Sequence, residues 1–470
     1  MLSLRPTEQV KARVAVAVMA GKGAAVASRL LGRGGGTALP GLVAERVDGT
    51  IVRDLGRQLG RGSVLVTGTN GKTTTSRILA RALQEARIAS LHNREGSNLM
   101  RGIASELIAR AGPFGRIPAA AETLGLFETD EATLPAAAAS LAPRAIAFTN
   151  LFRDQLDRYG EVDTVAALWR DALALTPKDA TLVLNADDPS VAELADGWAG
   201  PIHWFGLDDP AFATEQVGAV DARWCRTCGG SFAYSRRYFA HAGWWRCTGC
   251  GRARAETETT ATDIRLELER ATFRVSGVGE VTMPLTGLYN VSNALAAVAL
   301  AKILELPAAA VVAGLAGVRP AFGRQELVEL EGRRLRLMLC KNPAGANQVF
   351  RLLAAIDPGS GLNVAVPLND RFADGRDVSW IWDVDYELVK DRLAACWASG
   401  DRVEDMALRL RYAGWPSPEA VKGPAALLDA VLAATHAGND VFLVPTYTAL
   451  LDLRAELARR GAVREFWKND

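Results

Sequence analysis

The sequence predicts an α/β protein: one domain on a parallel sheet, a small four-cysteine unit inserted into it, and a second α/β unit behind. Three observations predict this. A Gly-x-x-Gly-Lys-Thr segment lies where an apolar run hands over to a helix-like stretch. Short β-branched runs then alternate with Ala/Leu-rich segments of helix length, and two Cys-x-x-Cys pairs interrupt that alternation.

The first strand reads as Ser63-Val64-Leu65-Val66, and Thr67-Gly68-Thr69-Asn70-Gly71-Lys72-Thr73-Thr74 follows it. Glycines let the backbone wrap a phosphate, and the N–H groups at the following helix start bind its oxygens. Lys72 brings a positive charge and the Thr73 hydroxyl can ligate Mg²⁺. Gly68, Thr69, Asn70, Gly71, Lys72, Thr73 and Thr74 are therefore the expected ATP-binding residues. Val66 stands where the general Walker pattern has its first glycine, so the loop is short; a chance glycine-rich turn is the alternative reading.

With 470 residues the chain is long enough for two or three domains. Its 54 basic and 53 acidic residues nearly cancel, which excludes a global field that would favour nucleic acid or an anionic membrane. No apolar run approaches the roughly 20 residues needed to span a bilayer, and Val14–Ala20 lacks a cleavage site. A cytoplasmic protein is expected. Of the 6 cysteines, Cys340 and Cys396 stand alone and read as core residues.

After the loop, Thr123–Thr129, Arg144–Asn150, Thr181–Asn185 and Ile202–Gly206 read as further strands of a parallel sheet wrapped by helices. Ligands collect at the carboxyl ends of such strands. Glu128, placed there, is expected to complete a Mg²⁺ shell with Thr73 and nucleotide phosphates; a solvated acidic loop is its bland alternative. Asp187 and Asp188 precede Pro189 at a helix start, where carboxylates also serve as caps.

Cys225-x-x-Cys228 and Cys247-x-x-Cys250 have the spacing of a tetrahedral Zn²⁺ site. Four thiolates leave no open position for water, so the zinc is expected to be structural. Tyr234, Tyr238, Phe239, Trp244 and Trp245 are expected to give this ribbon a small core of its own. Arg226, Arg236, Arg237, Arg246, Arg252 and Arg254 make it basic, and nucleic-acid contact is the alternative to a small core with a solvated face. Strand-like alternation resumes over Asp263–Met283, so the ribbon reads as an insertion.

Gly287-Leu288-Tyr289-Asn290-Val291-Ser292-Asn293 and Ala321-Phe322-Gly323-Arg324-Gln325-Glu326, taken with Gly68–Thr74, resemble the Mur ligase superfamily, which joins a carboxylate to an amine using ATP. The resemblance implies that Asn98 lies near the γ-phosphate, Asn293 contacts nucleotide, Arg324 reaches the phosphates, and Lys72 and Glu128 serve the chemistry with Thr73. Asn293 alone also reads as a residue bridging a buried helix. The chain departs from the superfamily's pattern at Gln155, where a histidine is usual, around Trp169–Ala172, which has no lysine, and at Met338–Pro343, which lacks an aspartate. Within the superfamily the resemblance is to the MurT family, on His92–Leu99, Asn150–Gly160, the four cysteines, and Leu368–Asp370 with Asp374–Asp383. It implies an ATP- and Mg²⁺-dependent amidation of the D-glutamate α-carboxyl of lipid II to D-isoglutamine, with ammonia from a GatD-like glutaminase subunit and with transient, peripheral contact at the inner face of the membrane through that lipid-linked acceptor.

Asn369–Asp385 is polar, dense in aspartate, and carries Trp380 and Trp382. Tryptophans beside charges are typical interface anchors, so this segment is expected to dock the glutaminase. The resemblance adds that Asp383, or next Asp377, orients that partner's catalytic histidine as a triad carboxylate does; a loop packed on its own domain is the alternative. The expected organisation is an extension over 1–54, an ATPase domain over 55–318 with the ribbon at about 222–255, and a Rossmann-like C-terminal unit over 319–470 that contains a strand at Val441–Tyr447. A folylpolyglutamate synthase-like ligase and a zinc-ribbon ATPase acting on nucleic acid are the competing readings.

Overall fold

The structure, a computed structural model, describes residues 6–30, 38–93, 97–153, 162–214, 221–319, 324–356 and 361–463. Asp154, Gln155, Leu156 and Asp157 lie outside the described residues, as do Arg94–Gly96, Ala321–Gly323 and the side chain of Arg324.

Two sheets organise the chain. The first comprises β1 (Ser63–Thr67), β2 (Ser90–His92), β3 (Leu124–Glu128), β4 (Ala145–Phe148), β5 (Thr181–Asn185), β6 (Ile202–Leu207), β9 (Thr259–Leu266), β10 (Ala271–Val275) and β11 (Gly279–Met283). Their order is β11-β10-β9-β6-β5-β4-β1-β3-β2. Neighbours from β2 through β9 are parallel, and β10 and β11 finish the edge antiparallel. The central strands β1, β3 and β4 are buried along their whole length, which is why they read as unbroken apolar runs.

Both faces of this sheet are covered. Val64 and Val66 face the helices Lys72–Glu85, Leu288–Ile303 and Ala308–Ala316. Leu65 and Phe127 face Met100–Arg110, Leu134–Leu141 and Val162–Leu175, as the alternation of side chains along a strand requires. The helices Pro6–Leu30, Leu39–Val47 and Ile51–Gly56, ahead of β1, join this second layer through Val14, Val18, Ala44 and Ile51.

β7 (Phe232–Phe239) and β8 (Ala242–Cys247) pair as an antiparallel ribbon inserted between β6 and β9. Its core is not private. Tyr238 and Phe239 belong to the main core over the sheet, and Trp245 Nε1 donates to the Ala186 carbonyl at 3.0 Å. A two-stranded hairpin buries too little surface to stand alone, so its apolar side is laid on the larger domain.

The second sheet holds β12 (Arg324–Leu330), β13 (Arg333–Met338), β14 (Leu362–Pro367), β15 (Leu393–Ser399), β16 (Glu419–Val421) and β17 (Asp440–Leu443), in the order β12-β13-β17-β14-β15-β16. All neighbours are parallel except β12 and β13. The strand expected over Val441–Tyr447 stops at Leu443, and Tyr447 opens the helix Tyr447–Arg459. Pro445 has no N–H to continue the ladder. Among the described residues no helix is long and apolar enough to cross a membrane.

Candidate active site

Residues 68–71 form the turn between β1 and the helix Lys72–Glu85. Gly68 and Gly71 have φ of 136° and 89°. A Cβ on Gly71 would sit 1.9 Å from Asn293 Oδ1, and one on Gly68 2.1 Å from Thr149 Oγ1, so neither position admits a side chain. The loop is held from several sides. Asn70 N donates to Asn150 Oδ1 at 2.9 Å, Thr69 N to the Asn150 carbonyl at 3.0 Å, and Phe152 N to Thr69 Oγ1 at 3.0 Å. Thr75 Oγ1 donates to the Asn293 carbonyl at 3.2 Å, and Asn342 Nδ2 reaches Asn70 Oδ1 at 3.3 Å from the second sheet's side.

At the carboxyl end of β3, Thr73 Oγ1 donates to Glu128 Oε1 at 3.1 Å. Lys72, itself buried, donates to the Gly68 carbonyl, with its Nζ 3.2 Å from Glu131. Asn93, at the end of β2, clamps Glu128: its Oδ1 accepts from Glu128 N and its Nδ2 donates to the Glu128 carbonyl, both at 2.9 Å. The half-buried Asn98 adjoins this strand end, its carbonyl accepting from Asp130 N at 2.9 Å. Ligand oxygens of an octahedral Mg²⁺, each at roughly 2.1 Å from the ion, stand about 3 Å apart. The Thr73 and Glu128 oxygens therefore fit that ion. Asn93 and Glu131 are not among the site residues read from the sequence; the short strand Ser90–His92, whose carboxyl end carries Asn93, is not among the strands read there.

The four sulfur atoms of Cys225, Cys228, Cys247 and Cys250 lie within 4.8 Å of one another, with Cys225–Cys250 at 3.9 Å and Cys228–Cys247 at 3.4 Å. A tetrahedron of thiolates at about 2.3 Å from zinc has edges near 3.8 Å, so the cluster fits the ion.

The ribbon's basic character is largely spent on the domain beneath it. Arg254 pairs with Asp187 at 2.7 Å, Arg236 with Asp208 at 2.7 Å, Arg226 with Glu193 at 3.1 Å, and Arg252 with Asp196. That pairing weakens the nucleic-acid reading, which needs cations turned outward.

The turn between β7 and β8 drives His241 into the core, where it is fully buried. Its Nε2 stands 3.2 Å from Asp188 Oδ1, and its ring lies 4.7 Å from that of Phe152. Asp188 also accepts from Leu151 N and Ser190 N, each at 2.8 Å, and caps the turn at Pro189. Burial works against its ionised form, yet His241 and these N–H groups outweigh it and hold the carboxyl below its usual range. Next to it, burial pushes Asp187 up in spite of Arg254. A path of contacts thus runs from ribbon tip through Leu151 and Phe152 to Thr69 of the loop.

Asp383 closes the 3₁₀ turn Ser379–Asp383. Its Oδ2 accepts from Arg153 Nη2 at 2.6 Å, while Arg153 Nε donates to Asp221 at 3.0 Å. The Asp383 carboxylate remains 43% exposed. Asp377 instead caps the turn, accepting from Ser379 N at 2.8 Å, and that bonding lowers its pKa. Trp380 packs into the core of the second sheet, whereas Trp382 is 50% exposed with its ring 5.5 Å from Tyr412.

The chain is similar to known proteins over most of its length. The Mur ligase middle domain family matches residues 66–223, and the MurT ligase C-terminal family matches residues 339–450. The MurT subunit of lipid II isoglutaminyl synthase (glutamine-hydrolyzing) from Streptococcus pneumoniae is 34% identical over 466 residues, covering 96% of this chain and 99% of that protein. The MurT subunit from Staphylococcus aureus is 33% identical over 442 residues, covering 92% of this chain and 95% of its own. Among solved structures, a pseudomurein peptide ligase type C from Methanothermus fervidus superposes with a TM-score of 0.62 at 19% identity, over 87% of this chain and 80% of that one; it shares the fold. On its near-full-length similarity to the two bacterial subunits, the chain belongs to the MurT family of Mur ligases.

Proposed function

We infer that this chain is the ligase subunit of a glutamine-hydrolysing lipid II isoglutaminyl synthase, acting in peptidoglycan synthesis. One observation carries the reading: similarity to subunits of that name is continuous over both α/β units and includes the segment with the Asp377–Asp383 turn. The reaction amidates the α-carboxyl of D-glutamate in the lipid II stem peptide. A carboxylate oxygen attacks the γ-phosphorus of ATP, ADP leaves, and ammonia displaces phosphate from the acyl phosphate, losing a proton as the amide forms.

The chain's residues have work to do at each step. Gly68–Thr74 cradle the phosphates, and Lys72 exchanges Glu131 for the transferring phosphoryl group. Asn93 fixes the strand end that carries Glu128. Thr73 and Glu128 would hold Mg²⁺, which supplies Lewis-acid charge to the phosphates. Asn98, Asn293 and Arg324 are proposed nucleotide contacts; the place of Asn293 beside Gly71 supports its role. Water must be kept from the acyl phosphate, and closure of the second α/β unit over the loop, touched already by Asn342, would serve this.

The four cysteines are read as a structural Zn²⁺ site in a ribbon at about 222–255, within an ATPase domain over 55–318 that follows an extension over 1–54; a Rossmann-like domain over 319–470 completes the chain. The subunit works with a GatD-like glutaminase, docked on Asn369–Asp385. The exposed Asp383 carboxylate and Trp382 support that surface, with Asp383, or next Asp377, orienting the partner's histidine. Asp383→Asn tests this. Glutamine-dependent amidation should be lost while the ammonium-dependent reaction persists; loss of both, or of neither, would refute the assignment.

A further inference from the structure

The helix Pro6–Leu30 is apolar on two sides, and this chain covers one of them. Val14, Ala17, Val18 and Gly21 turn inward. Ala12, Val16, Met19, Gly23, Val26 and Leu30 follow one another at alternating steps of four and three, form a single stripe, and are exposed at every position. Val16, Met19, Val26 and Leu30 are 59%, 58%, 55% and 83% exposed. Between Val16 and Leu30 the stripe runs about 21 Å at 1.5 Å per residue. A helix apolar all round is ordinarily buried, and a contiguous exposed patch of this kind marks an interaction surface.

Charge selects the occupant. The helix sequence carries Lys11, Arg13, Lys22 and Arg29 against a single acid, Glu8, and of these Arg13 stands 3.4 Å from the buried Asp48 while still 61% exposed. Two copies of such a helix, seam to seam, would bring like charges together. An apolar stripe on a helix whose sequence is net basic instead matches a bilayer surface, where apolar side chains enter the headgroup boundary and cations meet anionic lipid. No described helix is long and apolar enough to cross a membrane, so this one would lie in its plane.

We propose that the outward face of Pro6–Leu30 docks on the anionic surface of a lipid bilayer and holds the ligase where its lipid-linked acceptor is presented. The role of the docking, though not the surface itself, rests on the reading of lipid II as acceptor. It adds a protein-borne membrane contact to the one made through substrate.

The test is flotation of the full chain, alone and with its glutaminase subunit, on vesicles of phosphatidylglycerol and phosphatidylethanolamine without lipid II, against phosphatidylcholine vesicles. The comparison variant is Met19→Glu with Val26→Glu, two exposed positions whose change should leave the thermal midpoint in place. The native protein should float with anionic vesicles and release as salt rises. The variant should lose about tenfold or more in vesicle affinity. Its KM for lipid II embedded in vesicles should rise, with kcat and KM for a water-soluble stem peptide unchanged. Equal flotation of variant and native protein, no flotation of either, loss of flotation on adding the glutaminase, or a native homodimer dissociated by the substitutions would each overturn the proposal. Failure to amidate either acceptor would instead overturn the functional reading, and the flotation result would still decide the surface.

Discussion

Replacing His241 by alanine should weaken both the fold and the ATP loop, and the structure sets the size of the effect. The imidazole is fully buried and faces Asp188, whose carboxylate is also fully buried. Stripping a buried charge of its partner typically costs about 3–5 kcal/mol. Asp188 keeps the N–H groups of Leu151, Ser190 and Val191, which offsets part of that loss, while the space left beside Phe152 adds a cavity term of about 1 kcal/mol. The sum is about 3 kcal/mol, or a fall in Tm of roughly 6–12 °C for a domain of this size. Leu151 and Phe152 would then lose their backing, and with it the Phe152 N–H bond to Thr69 Oγ1, so the Kd for ATP should rise as well. Differential scanning fluorimetry and calorimetric titration with a non-hydrolysable ATP analogue measure the two effects. A Tm within about 2 °C of native with unchanged ATP affinity would refute the claim that the ribbon tip supports the loop.

Glu128→Gln should reduce kcat by about a hundredfold or more, the effect of several kcal/mol lost at a metal-supported step, and raise the Mg²⁺ concentration needed for half-maximal rate; an unchanged Mg²⁺ titration contradicts the placement of the ion. Gly71→Ala should abolish ATP binding, because its Cβ would strike Asn293 Oδ1 and the left-handed backbone adds about 1–2 kcal/mol of strain; equilibrium binding measures it. Cys225→Ser with Cys228→Ser, or chelation, should remove one zinc per chain by elemental analysis and lower Tm, whereas a metal-free native protein of full stability would exclude the structural zinc. Acid unfolding reports on Asp188. Its pKa is lowered in the folded state, so its contribution is present above the unfolded value of about 3.9 and is lost as pH falls through the folded value. The stability gap between native protein and Asp188→Asn should therefore close in acid; a gap independent of pH would contradict the direction of the shift.

The parts of the site that were legible in the sequence are those fixed by local chemistry. Gly68–Thr74 follows a strand and opens a helix, and both facts are written within a few residues of each other. Four cysteines at ribbon spacing identify their own cluster. The parallel sheet is legible because short strand-like runs alternate with segments of helix length. What was hidden depends on long-range placement. Tyr238 and Phe239 read as a private ribbon core because nothing local reveals that the hairpin lies across the main sheet. His241 and Asp188 are more than fifty positions apart, and only the folded ribbon brings them together. Glu131 reads as one more acid in a polar loop until Lys72 is seen beside it. The ribbon's arginines suggest a basic surface because their acidic partners are distributed over the segment from Asp163 to Asp208.

The central claim is the amidating reaction, and the intact mass of lipid II tests it most directly. The purified chain would be incubated with lipid II, ATP, Mg²⁺ and free ammonium, with glutamate and other amino acids supplied in parallel reactions. The account predicts an ATP-dependent exchange of one hydroxyl for one amino group, located at the D-glutamate α-carboxyl by fragmentation. Addition of an amino-acid residue, or an unchanged mass in every reaction while ATP still binds, would contradict it.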